Sequence, residues 1–229
     1  MKELFSKAGI VLDDAAEEKF RLFSSLLEEY NKKFNLTAIN EPEEVIIKHF
    51  IDSAMGAKLI PNGAKVVDVG AGAGFPSIPL KILRDDLDFT LVDSLNKRVG
   101  FLDVVAEKLA LSKVKNLHLR AEEAGQGALR ETFDVAVARA VASMDVLSEY
   151  CLPLIKVGGI FLAYKANAEE ELKSGLAAIK LLGGEVKNIE KFTLPDGSER
   201  CIIVIKKVFP TPKKYPRGQN KPRIAPIKG

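Results

Sequence analysis

Three glycines at alternate positions follow a short β-branched run and precede a helix pattern that a proline opens. The run is Val66–Val69, the glycines are Gly70, Gly72 and Gly74, and Phe75-Pro76 leads into the helix. Glycine accepts left-handed backbone angles and lets a ligand approach the chain without a Cβ in the way. This strand–loop–helix order predicts a ligand-binding turn; the alternative is that the glycines make only a tight connection.

The spacing of these glycines and a later aspartate limit what the loop can bind. Dinucleotide sites follow G-x-G-x-x-G, with a helix N-terminus facing a pyrophosphate, whereas the spacing here is G-x-G-x-G. Asp93 ends the next strand, 23 residues after Gly70. A carboxylate there can accept hydrogen bonds from both ribose hydroxyls; the alternative is a cap for the helix over Ser94–Lys108.

Ala121 and Glu122 follow the third predicted strand. An adenine edge can meet a backbone amide and a side chain at this position, although Glu122 could also belong to a solvated helix start. A ribose-binding acid without phosphate-binding spacing favours S-adenosylmethionine, which carries an adenosine but no phosphate, over NAD.

Strand and helix patterns alternate through the middle of the chain. The predicted strands are Lys65–Val69, Phe89–Val92, Leu117–Leu119, Phe133–Ala138 and Gly158–Tyr164. The helix patterns between and after them are Ile78–Leu83, Val99–Leu111, Met144–Ile155 and Glu169–Leu182. This alternation predicts an α/β fold with a mostly parallel sheet and helices on both faces. Two further runs, Glu185–Thr193 and Arg200–Lys207, flank a Pro-Asp-Gly turn and predict a hairpin that brings an antiparallel last strand into a seven-stranded sheet.

An apolar stripe marks a long helix near the N-terminus. Its members recur three or four positions apart at Phe20, Phe23, Leu27, Tyr30 and Phe34. Asp14 with Glu17 predicts the N-cap of this helix, and the stripe favours docking onto the main domain over a coiled-coil partner. Residues 35–61 predict a loop and then short helices, one of which begins near Pro42.

Charge is unevenly divided along the chain. Residues 206–229 contain eight basic residues and no acidic residue. The first 205 residues contain the other 26 basic residues and all 31 acidic residues, so their formal net charge is −5. A basic tail indicates a polyanion partner, most often nucleic acid; the alternative is a solvated tail that aids solubility. Five prolines predict that the tail is extended. We therefore expect a helical extension (1–61), a main domain (62–208) and a basic proline-rich tail (209–229).

Composition narrows the class of protein. With 229 residues, 47% of them hydrophobic, the chain is long enough for one globular domain with a small appendage. Its two cysteines, Cys151 and Cys201, make neither a disulfide framework nor a metal cluster, and its two histidines, His49 and His118, lack metal-ligand spacing. We expect a cytoplasmic protein without a metal, a secretory signal or a membrane span.

Several short motifs match one known family. They are Asn35-Leu36-Thr37, Lys48-His49, Asp52-Ser53, the loop Asp68–Leu80, Asp93-Ser94-Leu95, Lys97-Arg98, Phe101-Leu102, Arg120-Ala121-Glu122-Glu123, Arg139-Ala140 and Tyr215-Pro216-Arg217 with Pro222 and Pro226. In this combination the chain resembles the RsmG family, also called glucose-inhibited division protein B, the bacterial 16S ribosomal RNA guanine-N7 methyltransferases. Two positions depart from the pattern: Ser77 stands where the family often has glycine, and Ala138 where serine is common.

The resemblance implies a class I S-adenosylmethionine-dependent methyltransferase, Rossmann-like, with a small N-terminal helical extension. It implies cofactor contacts at Gly70, Phe75, Ala121, Glu122 and Arg139, of which Phe75 and Arg139 rest on the resemblance alone. It also implies 16S rRNA or the small ribosomal subunit as the partner, and we expect a monomer.

The implied reaction needs few catalytic groups. Guanine N7 carries a lone pair and no hydrogen, so attack on the methyl group requires no general base, and placement of the reactants should dominate. Arg139, which ends the fourth strand, can contact the methionyl carboxylate or the RNA; the alternative is an ordinary ion pair. His49 can contact RNA or have only a packing role, His118 is expected to be structural, and both cysteines are expected to be core residues.

Phosphate contacts are expected to dominate RNA affinity and to make it depend on salt, because aromatic stacking partners are scarce. The candidate RNA-binding residues are Lys97, Arg98, Lys165, Lys213, Lys214, Arg217, Lys221 and Arg223. Two other functions stay open at this point, a small-molecule methyltransferase and a non-catalytic RNA-binding module with a retained cofactor pocket. The glycine spacing argues against an oxidoreductase.

Overall fold

A seven-stranded sheet forms the centre of the protein, of which the computed structural model describes residues 1–228. The strands are β1 (Lys65–Val69), β2 (Asp88–Asp93), β3 (Val114–His118), β4 (Phe133–Arg139), β5 (Ile155–Lys165), β6 (Gly184–Thr193) and β7 (Glu199–Lys207). Their order is β3-β2-β1-β4-β5-β7-β6, and β7 alone runs in the direction opposite to the other six strands. The predicted sheet, with its hairpin and antiparallel last strand, is confirmed. Because the strand order reverses at β1 and β4, a crevice opens at their carboxyl ends.

Helices cover both faces of the sheet. They are α1 (Lys2–Lys7), α2 (Asp14–Phe34), α3 (Pro42–Val45), α4 (Asp52–Ala54), α5 (Ser77–Leu83), α6 (Asn96–Lys108), α7 (Ala121–Gln126), α8 (Met144–Cys151), α9 (Ala168–Leu181) and α10 (Lys221–Ile224). A π-helical segment, Ile46–Ile51, joins α3 to α4, and 3₁₀ turns occupy Ala57–Leu59 and Leu152–Leu154. Within residues 1–228 no helix combines the length and apolar character needed to cross a membrane.

Several predicted boundaries shift. The N-cap of α2 is Asp13, whose side chain accepts a hydrogen bond from the Ala16 amide at 2.7 Å, and not Asp14. The third strand and α6 each begin about three residues before the predicted start. The helix predicted to reach Ile155 ends at Cys151, because Pro153 places the next residues in a 3₁₀ turn, and Ile155 already belongs to β5.

The tail is not the extended segment that its prolines predict. It lies against the body of the protein, where Thr211 and Tyr215 are buried, and it ends in the short helix α10. Pro222 stands in the first turn of that helix, where a missing backbone N–H costs nothing.

The N-terminal helices pack directly on the sheet domain. Phe20, Phe23 and Leu27 of the α2 stripe are buried, and the Phe50 ring lies 5.2 and 5.4 Å from the rings of Phe20 and Phe23. These side chains belong to the same hydrophobic core as one face of the sheet. Docking of the stripe onto the main domain is therefore confirmed.

A polar cluster around Arg139 joins the extension to the end of β4. The guanidinium donates hydrogen bonds to a carboxylate oxygen of Asp52 at 2.8 Å and to the Lys48 carbonyl at 2.9 Å, and it lies 3.0 Å from Nδ1 of His49. The other ring nitrogen of His49 lies 2.8 Å from the Thr37 hydroxyl. Burial, and then the positive charge of Arg139, lowers the pKa of His49 to about 3, so this ring is neutral near pH 7.

A second buried polar group lies in the middle of the sheet. Asp68 on β1 is fully buried, and one of its oxygens accepts a hydrogen bond from the Ser77 hydroxyl at 2.5 Å. The other oxygen, Oδ1, has no hydrogen-bond partner within residues 1–228. Burial raises the pKa of Asp68 to about 7, and Ser77, the residue that departs from the family pattern, is the side chain that pairs with it.

These two groups give the free energy of unfolding opposite pH dependences. The unfolded chain binds more protons than the folded one at His49 between pH 3 and 6.5, so this residue contributes stability that is lost as pH falls. At Asp68 the folded state holds the extra proton between about pH 4 and 7, so its contribution is lost as pH rises.

We therefore expect His49→Gln and Asp68→Asn to change the pH profile of stability in opposite directions. Between pH 4.5 and 6.5, the stability advantage of the wild type over His49→Gln should grow with pH, and its advantage over Asp68→Asn should shrink. Each slope should approach about 1.4 kcal/mol per pH unit at most. Urea unfolding at several pH values measures both, and each variant is a control for the other. Two parallel profiles would contradict the prediction.

Candidate cofactor and substrate site

A cavity of about 210 Å³ lies at the carboxyl ends of β1, β2 and β4, in the crevice that the strand order creates. We call it the first cavity. Its wall includes Gly70, Asp93, Arg98, Glu122, Val141 and Arg223. Loops after four different strands and the tail thus meet around one space.

The glycine loop turns its amides toward the protein. The amides of Gly70 and Ala71 donate to the Val92 carbonyl at 2.8 and 3.2 Å, and the Gly72 amide donates to Oδ2 of Asp93 at 2.9 Å. A phosphate in the first cavity would find none of these three N–H groups available. The loop therefore fits a ligand without phosphate, as the glycine spacing indicates.

Two of the three loop glycines are required for steric reasons. At Gly70, which lines the first cavity with φ of +74°, a Cβ would lie 2.8 Å from a methyl group of Val141. At Gly74, with φ of +93°, a Cβ would lie 2.5 Å from the Ile78 side chain of α5. Gly70 therefore borders the cavity, whereas Gly74 allows the loop to pack against its own helix.

Asp93 makes a local contact at the start of α6 and also lines the first cavity. Its Oδ1 accepts a hydrogen bond from the Leu95 amide at 2.9 Å, which turns the chain into α6, while Oδ2 holds the glycine loop. The carboxylate is buried, lines the first cavity, and has the guanidinium of Arg98 at 3.5 Å. A carboxylate has about four acceptor positions, so Asp93 can still accept bonds from ligand hydroxyls.

The wall opposite the glycine loop is built where β3 leads into α7. The helix begins at Ala121, whose backbone borders the cavity, and Glu122 is buried there. Oε1 of Glu122 accepts a hydrogen bond from the Asn220 amide at 3.3 Å. Tyr150 of α8 also lines the cavity, and burial raises the pKa of its hydroxyl.

The first cavity brings together half of the predicted cofactor residues. Gly70, Asp93, Ala121 and Glu122 line it. Of the described residues, Gly72, Gly74, Phe75 and Arg139 stand outside its lining. The Phe75 ring instead stacks on His49, with a centroid distance of 4.4 Å, and the Arg139 guanidinium lies 5.0 Å from the same ring.

A second, larger cavity of about 530 Å³ adjoins the first, and the two share Ala140 and Val141. Ala140 has a left-handed φ of +56°, which is unusual for a residue with a side chain and is often found at functional sites. The wall of this second cavity includes Lys48, His49, Asp52, Arg139, Lys165 and Arg200. A reacting group in one cavity can therefore face a group in the other across the Ala140–Val141 junction.

The charged side chains around the second cavity are predominantly basic. Four basic side chains line it against the carboxylates of Asp52 and Glu171. Lys165 points inward, where its amine donates to the Ala142 carbonyl at 2.6 Å and pairs with Glu171 at 2.9 Å. Such a wall suits a polar, anionic molecule.

Sequence reasoning missed several residues that line the two cavities. Lys48 and Asp52 belong to motifs of the resemblance, but neither they nor Arg200 carried a signal that placed them near Arg139. Tyr150 lies in a predicted helix and Asn220 lies in the proline-rich tail. Neither sequence pattern indicates a cavity. Only the folded chain brings these side chains to one edge of the sheet.

The predicted RNA-binding residues fall into two groups. Four of them are exposed lysines: Lys97, Lys213, Lys214 and Lys221. The other four already bind protein atoms: Arg98 at Asp93, Lys165 at Glu171, Arg217 at Glu149 and Arg223 at the Val141 carbonyl.

The remaining candidate residues, His118, Cys151 and Cys201, line neither of the two cavities. His118 on β3 lies with Nε2 3.0 Å from the Ser94 carbonyl. Cys151 and Cys201 are buried, and burial raises the pKa of both thiols, so their prediction as core residues is confirmed.

Solved structures with the same fold are numerous and diverse. A SAM-dependent methyltransferase from Aquifex aeolicus aligns with a TM-score of 0.56 at 19% identity, over 76% of this chain and 97% of that chain. The [4+2]-cyclase SpnF aligns with a TM-score of 0.55 at 16% identity, over 69% and 82%. Because a cyclase shares the architecture, the likeness establishes the Rossmann-like fold and leaves the reaction to the site.

Sequence comparison is more specific. A protein of Lactobacillus acidophilus named "Ribosomal RNA small subunit methyltransferase G" is 50% identical over 97% of this chain and 95% of its own length. A protein of the same name from Bacillus subtilis is 49% identical over 98% and 96%. The family model described as "GidB: rRNA small subunit methyltransferase G" matches residues 16–202. The resemblance carried by the sequence motifs is confirmed, and the chain belongs to the GidB family of rRNA small subunit methyltransferase G proteins.

Proposed function

We propose that the chain transfers a methyl group from S-adenosylmethionine to N7 of a guanine in 16S rRNA of the small ribosomal subunit. The observation that carries this proposal is the junction at Ala140–Val141, where a cavity suited to a nucleoside without phosphate meets a cavity with an excess of basic side chains. The names of relatives that are about half identical to this chain support ribosomal RNA as the substrate.

The first cavity has the groups that the cofactor requires. Asp93 would accept hydrogen bonds from the ribose hydroxyls, and Ala121 with Glu122 would meet the adenine edge. Gly70 leaves room at the turn. Gly72 acts on the cofactor through Asp93, since its amide holds that carboxylate in place. Gly74, Phe75 and Arg139 lie outside the lining of the first cavity, and they would help to hold its wall in position.

When bound, S-adenosylmethionine supplies an electrophilic methyl group whose bond to a positively charged sulfur breaks to leave a neutral thioether. Guanine N7 forms the new bond with its own lone pair, so the protein has no proton to remove. This agrees with His49, which is neutral and has both ring nitrogens close to protein groups. The chain contributes mainly by holding N7 in line with the methyl group.

The second cavity is the proposed place of the target guanine. The carboxylates of Asp52 and Glu171 line this space, and their oxygens can accept hydrogen bonds from the N–H groups of the guanine. Arg139 and Lys165 pair with these carboxylates and hold them in position. Arg139 is thus a positioning residue in this proposal.

RNA phosphates would meet the basic rim around the second cavity and the tail. We assign these contacts to Lys48 and Arg200 at the rim and to the exposed lysines Lys97, Lys213, Lys214 and Lys221. Arg98, Lys165 and Arg217 would contribute only to the local charge, because each is already paired with a carboxylate of the protein, and Arg223 lines the first cavity instead.

The proposed function is tested directly by incubating the purified protein with S-adenosylmethionine and small ribosomal subunits from cells that lack its gene. Nuclease mapping with mass spectrometry should locate one new methyl group on a guanine, and loss of a borohydride-sensitive N7 site in the deletion strain should match it. Naked 16S rRNA serves as the second substrate. Methyl transfer to neither RNA sample, or to another atom, would overturn the proposal.

Replacing Asp93 should weaken cofactor binding. We expect Asp93→Ala to lose about 1–3 kcal/mol of binding free energy for S-adenosylmethionine, because hydrogen bonds to the ribose would be removed. Calorimetry measures the affinity. Asp103→Ala, which removes an exposed aspartate of α6, is the matched control. Thermal unfolding monitors the loss of the Gly72 and Leu95 contacts. Equal affinity in both variants would show that the ribose binds elsewhere.

Removing charge from the tail should flatten the salt dependence of RNA binding. We expect the double variant Lys213→Ala, Lys214→Ala to lower the slope of log affinity against log salt by about 1 for each lost phosphate contact. Filter binding of 16S rRNA at several salt concentrations measures the slope. The control removes two other exposed lysines, Lys180 and Lys187. The same slope in both double variants would exclude the tail lysines from the RNA interface.

A further inference from the structure

The C-terminal tail is firmly attached beside the first cavity. We call residues 211–224 the tail strap. The guanidinium of Arg217 binds the fully buried carboxylate of Glu149 at 2.6 Å, and its backbone amide donates to the same group at 2.7 Å. Arg130 donates to the carbonyl oxygens of Thr211 and Tyr215, both at 2.7 Å. Charge-assisted bonds of this kind to a buried partner fix the path of a segment that has little regular structure.

The fit between the strap and the body is close. At Gly125 of α7, a Cβ would lie 2.8 Å from the ring of Pro216, so only glycine allows the strap to lie this near. The side-chain amide of Gln126 donates to the Pro216 carbonyl at 2.8 Å. Helix α7, which begins at the adenine side of the first cavity, therefore supports the strap at its other end.

Beyond these contacts the strap crosses the mouth of the first cavity. Gln219 and Asn220 have left-handed φ angles of +59° and +57°, and this turn leads into α10. The Asn220 amide then donates to Glu122, and the guanidinium of Arg223 donates to the Val141 carbonyl at 3.0 Å. Glu122 follows β3 and Val141 follows β4, so the strap joins two sides of the cavity.

Arg223 has donor groups left for a ligand. It lines the first cavity, where its guanidinium donates to the Val141 carbonyl and interacts with the Tyr150 hydroxyl, and within residues 1–228 it has no salt bridge. Arg98 and Arg120 also line the cavity, and Arg98 is already near the Asp93 carboxylate. Since a guanidinium carries five N–H donors, most of those on Arg223 remain available at the cavity wall.

We propose that the tail strap is a wall of the cofactor site, in which Arg223 donates a hydrogen bond to S-adenosylmethionine or S-adenosylhomocysteine and Asn220 covers the adenosine beside Glu122. This inference rests on the proposed function, because it takes the first cavity as the cofactor site. It gives the basic tail a part in cofactor binding in addition to the RNA contacts that its charge predicts. By linkage, a bound cofactor stabilises the docked strap as much as the docked strap favours the cofactor.

One test measures affinity in full-length variants. Calorimetry with S-adenosylhomocysteine should show about tenfold weaker binding for Arg223→Ala, the loss expected when a hydrogen bond from a charged group is removed. Lys228→Ala removes the same charge from an exposed position near the end of the tail and should bind like the wild type. Thermal unfolding without ligand confirms that both variants fold.

A second test uses the unmodified protein. Trypsin can cut after Arg223, and saturating S-adenosylhomocysteine should slow this cut because the ligand holds the strap in place. Unchanged affinity in Arg223→Ala overturns the assignment of Arg223, and an unchanged rate of cleavage overturns the strap as a wall. If the wild type binds S-adenosylhomocysteine in either case, the proposed function stands. If the wild type does not bind it, the proposed function fails together with this inference.

Discussion

The hydrogen bond between the Gly72 amide and the Asp93 carboxylate determines what the rest of the site can do. It holds the glycine loop against β2, where the amides of Gly70 and Ala71 also donate hydrogen bonds to the Val92 carbonyl. A loop bound in this way has no nest of N–H groups for a phosphate, in contrast to the loops of dinucleotide-binding proteins. It keeps a buried carboxylate at the cavity wall, where hydroxyl groups can bind. The lack of free amides in this loop is therefore a property of two neighbouring strand ends.

In the second cavity, Arg139 holds neighbouring groups in position, as the bond between Gly72 and Asp93 does in the first cavity. Its contacts with Asp52 and with the Lys48 carbonyl attach the N-terminal helices to the end of β4, and its guanidinium faces the ring of Phe75. The family resemblance implies a cofactor contact at Arg139, whereas the geometry shows a side chain that shapes the second cavity. A buried ion pair seldom adds much net stability, so the contribution of this pair is better understood as fixing the position of the groups around the second cavity.

The sequence was sufficient for features whose signals are local. The alternation of strand and helix, the Pro-Asp-Gly hairpin and the α2 stripe each concern a few consecutive residues, and the structure agrees with all of them. Gly70 and Asp93 could be placed at one edge because the ends of parallel strands must meet there. The tail could not be placed. Its prolines exclude a long helix or a central strand, but its path depends on Glu149 and Arg130, which no local pattern connects with residues 211–224. Similarly, Lys48 and Arg200 become neighbours only through the packing of the extension.

The tail also shows how one basic segment can serve two ligands. Its arginines attach it to the protein: the guanidinium of Arg217 binds the Glu149 carboxylate, and that of Arg223, an exposed residue, binds the Val141 carbonyl. Its lysines, Lys213, Lys214 and Lys221, face solvent, where flexible point charges suit the irregular spacing of RNA phosphates. Since both sets belong to one anchored segment, RNA bound to the lysines would, under the proposed function, also restrain the arginine at the first cavity. In the sequence, the excess of basic residues indicates only a nucleic-acid partner. In the folded chain these residues form two sets, arginines that attach the strap to the protein and lysines that remain exposed.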